Sequence, residues 1–329
     1  MNTSTINMIP LYIYITIFFA FVSCENDKQN QRIINVSNYY EIVSLAEIEI
    51  LNGEYKNAEI LYHDVYNTHN YMFAIDLNNA IRCSAILENW EKISLYAEQM
   101  ILKGVGLDYF EDSIFDNYKK TEYWSVFYDN YFELESLYRK QFCKKLFSQL
   151  NELVNLDQSN YCGIPNNNNY YELKSTLTPN IDIAFSELIN KYGFPSEEKI
   201  GVNKNDDREI SNRPFYTVLY THSFQSGDYK LIDESKPYID SLLLDQRVLN
   251  NVIENSHLIK LSNNDSIFIR RSLDFDRELN LQLDKIRYTI ENNNGFQLSN
   301  KGLVFSDFSD SISKKNFYKY HKSVGILKL

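Results

Sequence analysis

From Tyr39 onward apolar residues return at helical spacing, and the pattern itself returns 35 residues later, from Tyr55 to Trp90. In the first unit, Leu45-Ala46, Gly53, Tyr55, Ala58 and Tyr62 mark two helices and the turn between them. In the second, Trp90 stands for Tyr55, Ile93 for Ala58, Ala97 for Tyr62 and Met100 for Val65. Self-similarity at this period predicts helix pairs that bury their apolar faces only by stacking on one another. Small residues such as Ala58 let two helices approach closely, Gly53 takes the turn, and Tyr55 and Tyr62 fill the groove. The 10 Gly and 6 Pro in 329 residues argue against a turn-dense sandwich or a long disordered chain.

The spacings of residues 39–104 resemble those of the tetratricopeptide repeat, with Glu88-Asn89 where that pattern usually has Gly. Two such units are fewer than a self-sufficient stack needs, so this half must cap itself on the next part of the chain. Lys103-Gly104 supplies the cation and the glycine that close a helix. Phe110 to Tyr118 and Glu122 to Asn130 read as shorter helices, with Trp124 and Phe127 plugging the end of a helical region spanning residues 39–132.

In the second half, Leu134, Tyr138, Phe142, Leu146, Leu150, Leu153 and Asp157 step by three or four, which predicts one long helix from Glu133 to Leu156. Asp157 then lies on the leucine face, where a carboxylate needs a partner. Ser159 to Thr178, with Gly163, Pro165 and a run of Asn, reads as an exposed loop. The chain is rich in Asn, Lys, Ile and Tyr, as expected of an AT-rich genome, so Asn clusters are discounted as signals. A helix through Ile181, Phe185, Leu188 and Tyr192 is opened by Thr178-Pro179 and closed by Gly193. Phe215, Val218 or Leu219, and His222 share a face of the next helix. His257 to Leu261 and Ser266 to Arg270 read as a β-hairpin, and Asp274 to Asn292 as a helix. The tail at residues 303–329 is ambiguous. The expected fold is mainly α: tetratricopeptide-like hairpins packed on a second, mostly helical domain at residues 133–302, with a small hairpin near the C-terminus.

Asp157-Gln158, the Leu188-Ile189-Asn190-Lys191-Tyr192-Gly193-Phe194-Pro195 segment, Gly201 and His222 resemble an uncharacterised bacterial domain of unknown function, frequent in Bacteroidetes lipoproteins. The resemblance implies a polar site of Asp157, Gln158, His222, Asp245 and Arg247. It departs from the pattern at Tyr161, where an Arg is expected, and in the extra residue of Asp245-Gln246-Arg247, for which Asp276-Arg277 is a rival register.

The N-terminus sets the expected location. Ile9 to Val22 is almost wholly apolar, but 14 residues are too few to span a hydrocarbon core, which takes about 20. The run fits a signal peptide covering residues 1–23. Phe21-Val22-Ser23-Cys24 resembles the lipobox of bacterial lipoproteins, although the leader has no Lys or Arg. That resemblance implies cleavage between Ser23 and Cys24, acyl chains on Cys24, a polar tether over residues 24–38 and a lipid-anchored place in the cell envelope, with the outer membrane favoured. Glu25 and Asp27 resemble a Bacteroidetes surface-export stretch.

The formal charge of −11 repels phosphate backbones, so no nucleic acid partner is expected. Cys83, Cys143 and Cys162 show no metal-ligand spacing, and none of the five His is paired at i,i+4 or joined to a carboxylate motif. No cofactor or metal is expected. Four Asp-Ser-apolar triplets resemble a Bacteroidetes O-glycosylation acceptor, the best placed being Ser266. Three functions remain open: an interaction or scaffold protein that meets a protein partner on its helical-repeat face, a glycan- or ligand-binding lipoprotein, and a hydrolase built on His222 with nearby carboxylates. Of these the non-enzymatic interaction protein is preferred. Convergence of Asp157, His222 and Asp245 or Arg247 on one open cleft would favour the hydrolase.

Overall fold

The computed structural model describes residues 36–161, 169–204, 210–211, 214–226, 230–250, 252 and 294–298; side chains are described within these except at 36–37, 160–161, 169–179 and 225–226. The leader, Cys24, the tether up to residue 35, Ser266, the expected hairpin, the Asp274 to Asn292 helix and the tail lie outside them, while residues 36–38, expected to end the tether, begin the first helix. Among the described residues the chain is predominantly α-helical, with no strand and one isolated antiparallel bridge between Lys204 and Ile210.

Four helices form the first part: α1 (Val36–Leu51), α2 (Tyr55–Thr68), α3 (Ala74–Ile86) and α4 (Trp90–Ile101). Each packs on the next. Ala46, Ala58, Tyr62, Ile93, Ala97 and Met100 are fully buried, as the 35-residue pattern requires, but Leu45 faces solvent. Gly53 turns the chain between α1 and α2 with φ +78°, and Glu88 does the same between α3 and α4 with φ +55°. A side chain there costs on the order of 1–2 kcal/mol, which glycine avoids. Asn89 follows as the cap of α4, its side chain accepting from the Lys92 N–H at 3.5 Å.

The expected helix over Phe110–Tyr118 is instead three short 3₁₀ turns, Leu107–Glu111, Ser113–Phe115 and Tyr118–Lys120. They bury Tyr109, Phe110, Phe115 and Tyr118 against α3–α5. Capped by Thr121, α5 (Glu122–Gln141) runs unbroken through residues 132–133, well beyond the expected end at Asn130. The single helix expected from Glu133 to Leu156 is two, since the chain breaks at Phe142–Cys143 before α6 (Lys144–Tyr161). No Gly or Pro marks that break. The Cys143 N–H donates to the Lys199 carbonyl at 2.7 Å, a partner 56 positions away that no local pattern shows.

Helix α7 (Asn169–Tyr192) starts within the segment expected to be a loop and carries Pro179 in its interior, where an N-terminus is expected. The apolar stripe beyond it seats the helix on α6. Next come one turn α8 (Glu197–Ile200), then α9 (Thr217–Ser226), α10 (Lys230–Glu234), α11 (Lys236–Asp240) and a helical stretch at 246–250. Buried side chains fall into two clusters: residues 39–131 joined by Ile210, Leu242, Phe296 and Leu298, and residues 146–252 centred on Leu150, Phe185 and Tyr220.

Candidate functional site

The five expected polar-site residues divide into two groups. On α6, Leu146, Leu150, Leu153 and Asp157 share the buried face. Asp157 Oδ2 lies 2.6 Å from His222 Nδ1 on α9 and accepts from Gln158 Nε2 at 3.2 Å. Its other oxygen is buried without a hydrogen-bond partner among the described residues. With Nδ1–H donating to Asp157, the carboxylate fixes the ring's tautomer and orientation. Ser223, the next residue on α9, donates to Asp182 Oδ2 on α7 at 2.7 Å. The hydroxyl beside His222 is therefore bonded to another carboxylate, whereas a nucleophile–base pair needs that bond between the Ser and the His. His222 is also not central to the apolar face of α9: Leu219, Tyr220 and Ser223 are more deeply buried.

Asp245 and Arg247 sit instead where the second part meets α1 and α3. Arg247 binds Asp76 through both terminal nitrogens, at 2.8 and 2.7 Å, and Asp245 through Nε and Nη2. Glu47 approaches to 3.9 Å. Tyr39 donates to Asp76 at 2.6 Å and Tyr40 to Asp245 at 3.3 Å, while the Phe73 and Gln246 N–H groups donate to those two hydroxyls. Burial works against the charge of Arg247, but Asp245 and Asp76 outweigh it and push the guanidinium up. Burial and the adjacent carboxylates push both tyrosine hydroxyls up, so they remain donors. Three carboxylates thus surround one cation, with Asp76 wholly buried.

Nearby, Lys103 is buried with Nζ 3.2 Å from Glu197 Oε2 and 3.3 Å from the centre of the Tyr71 ring. Glu197 also accepts from the Tyr71 hydroxyl and the Ala74 N–H. Burial pulls Lys103 down against the pull of Glu197, and burial pushes Glu197 up. Between these two ion clusters lies a cavity of about 40 Å³, lined by Phe73, Glu197, Tyr216 and Asp245 among others. Small-molecule sites run from about 300 Å³ upward, so this space suits a few waters.

A third polar group involves α3, every residue of which from Ala74 to Ala85 is buried. Asn79 receives the Gln297 N–H on Oδ1 and donates Nδ2 to the Gln297 carbonyl, both at 2.8 Å. Asn78 donates to the Gly295 carbonyl at 3.3 Å and Arg82 to that of Asn294 at 2.6 Å. Asp76, Asn78, Asn79 and Arg82 all escape the sequence reading. Their signal is a charged pair and an Asn pair inside an otherwise apolar helix, which the discounting of Asn hides.

Exposed apolar side chains concentrate on α5. Tyr123, Val126 and Leu137 lie on one side of its buried stripe. On the other, Trp124, Tyr128 and Phe132 form a ladder with ring centres 5.9 and 6.4 Å apart, and Phe132 is 64% exposed.

Among the described residues no group of His, Cys, Asp and Glu could hold a metal ion, and no helix is long and apolar enough to cross a membrane. Cys83 and Cys143 are free thiols, and burial pushes that of Cys83 up. The fold and its polar groups define a predominantly helical protein whose buried ion pairs join consecutive helical parts. No family model matches the sequence, and neither a curated protein nor a solved structure matches it.

Proposed function

We propose that the chain is a lipid-anchored, non-enzymatic interaction protein that contacts a protein partner through the outer side of α5. The observation that carries this reading is the Trp124–Tyr128–Phe132 ladder. The inner side of the same helix is engaged through Phe127 and Tyr131, and Trp124 packs on the same core, so the exposed Tyr128 and Phe132 are surplus to it. Contiguous exposed apolar surface of this kind marks interaction sites, and aromatic residues are the commonest anchors at interfaces.

The consecutive packing of α1 to α4 supports reading them as two tetratricopeptide-like units. The lipobox-like Phe21-Val22-Ser23-Cys24 supports the anchor. Two or three acyl chains on one Cys, at about 0.8 kcal/mol per buried CH₂, would hold the protein in the membrane without a spanning helix. The hydrolase reading is weakened by the bonding of Ser223 to Asp182 and by the separate environments of His222 and Arg247.

Replacing Tyr128 and Phe132 together by Glu tests the reading. The expected result is an unchanged Tm with loss of the partner adduct formed by crosslinking in membranes. A clear fall in Tm would assign the ladder to the fold instead. Metabolic labelling with an alkyne fatty acid tests the anchor: label on the wild type and none on Cys24→Ala is expected, and an unlabelled wild type would refute it.

A further inference from the structure

The segment Asn294–Leu298 lies on α2 and α3 as a bound peptide would. Its backbone is read by side chains: Asn79 pairs with both the N–H and the carbonyl of Gln297, Asn78 takes the Gly295 carbonyl and Arg82 that of Asn294. Side-chain amides that pair with main-chain groups are indifferent to the sequence they hold. Selectivity comes from the side chains between them. Phe296 stacks on Tyr55 with ring centres 5.7 Å apart and planes within 9°, and both Phe296 and Leu298 are buried. Gly295 is required on two counts, because its φ is +65° and a Cβ there would run into the Arg82 guanidinium. The reading groups are themselves held in place: Tyr109 donates to Asn78 Oδ1 at 2.8 Å, and Asp112 pairs with Arg82 at 2.9 Å. A preorganised set of this kind loses little freedom on binding.

We infer that α2 and α3 form a groove for an extended peptide of the pattern glycine, aromatic, preferably apolar, aliphatic, and that the chain's own Gly295–Leu298 occupies it as an internal ligand that a partner segment of that pattern displaces. The internal ligand is imperfect, since the Gln297 amide oxygen is buried without a hydrogen-bond partner among the described residues. A partner with an apolar residue at that position escapes this loss. The inference rests on the interaction reading only in that the chain holds a protein partner; its surface is separate from the α5 ladder.

The test uses the full chain and a fluorescein-labelled peptide of residues 292–299. In a Phe296→Asp/Leu298→Asp variant, with folding checked by far-UV circular dichroism, the groove is emptied and the peptide should bind saturably. It should bind at least about tenfold more tightly than to the wild type, whose groove is occupied, and adding Asn79→Ala should weaken it by about tenfold. A peptide with Leu in place of Gln297 should bind about fivefold more tightly or better. A folded variant that ignores the peptide, or is unaffected by Asn79→Ala, would overturn the inference. Should that variant not fold, the wild type is irradiated with the peptide carrying benzoylphenylalanine at the Phe296 position. An adduct mapped to residues 55–86 supports the groove, and none there overturns it. Failure of either arm with the α5 ladder still in contact with a partner would sink the groove alone.

Discussion

At the scale of single residues, the pair with the most at stake is His222 and Asp157. Asp157 is almost wholly buried, and the imidazole and Gln158 are its hydrogen-bond partners. Removing the ring leaves a carboxylate facing apolar surroundings with one amide donor. His222→Ala should therefore cost about 1–3 kcal/mol in a urea titration, the usual loss for an unpaired buried group. The same variant should leave any partner contact at α5 unchanged, since that helix lies outside the pair's surroundings. A variant with full stability and lost ligand binding would make His222 a functional residue. The need of Asp157 for a partner was legible from its place four residues after Leu153. The need of Arg247 was not: its partner Asp76 lies 171 positions earlier, on a helix whose polar residues offer no periodic cue.

At the scale of helices, repeated small-to-large spacing was the most readable feature, because α1 to α4 pack on sequence neighbours and local pattern contains the contact. Ala58 has no exposed surface where α2 packs. Ala58→Glu should destabilise by several kcal/mol, roughly 3 or more, as an unpaired charge is forced into a close helix contact. An unchanged melting curve would refute that packing. What stayed illegible were the breaks. Phe142–Cys143 continues an unbroken helical pattern, and only the hydrogen bond to Lys199 explains the stop. Conversely, Pro179 normally ends or starts a helix, yet α7 runs through it. In both places non-local packing prevails over local preference.

At the scale of the whole molecule, two ion clusters tie the first part to the second: Arg247 with Asp76 of α3 and with Asp245, and Lys103, just beyond α4, with Glu197. Clusters of this kind add little net stability but are costly to break singly. Arg247→Met should cost about 3–5 kcal/mol, because Asp76 and Asp245 are left buried and uncompensated. Adding Asp76→Asn and Asp245→Asn to it should restore most of that loss. Equal instability of the single and triple variants in urea titrations would show that Arg247 acts through packing and not through charge.

The proposal that this fold works by holding a partner on α5 is tested most directly by site-specific crosslinking. Benzoylphenylalanine is placed at Phe132 in the full chain and irradiated in membranes, with the exposed Lys56 on α2 as the control position. A discrete adduct from Phe132, absent from Lys56 and abolished by Tyr128→Glu, is the predicted result. No adduct at Phe132, or the same adduct at both positions, would contradict it.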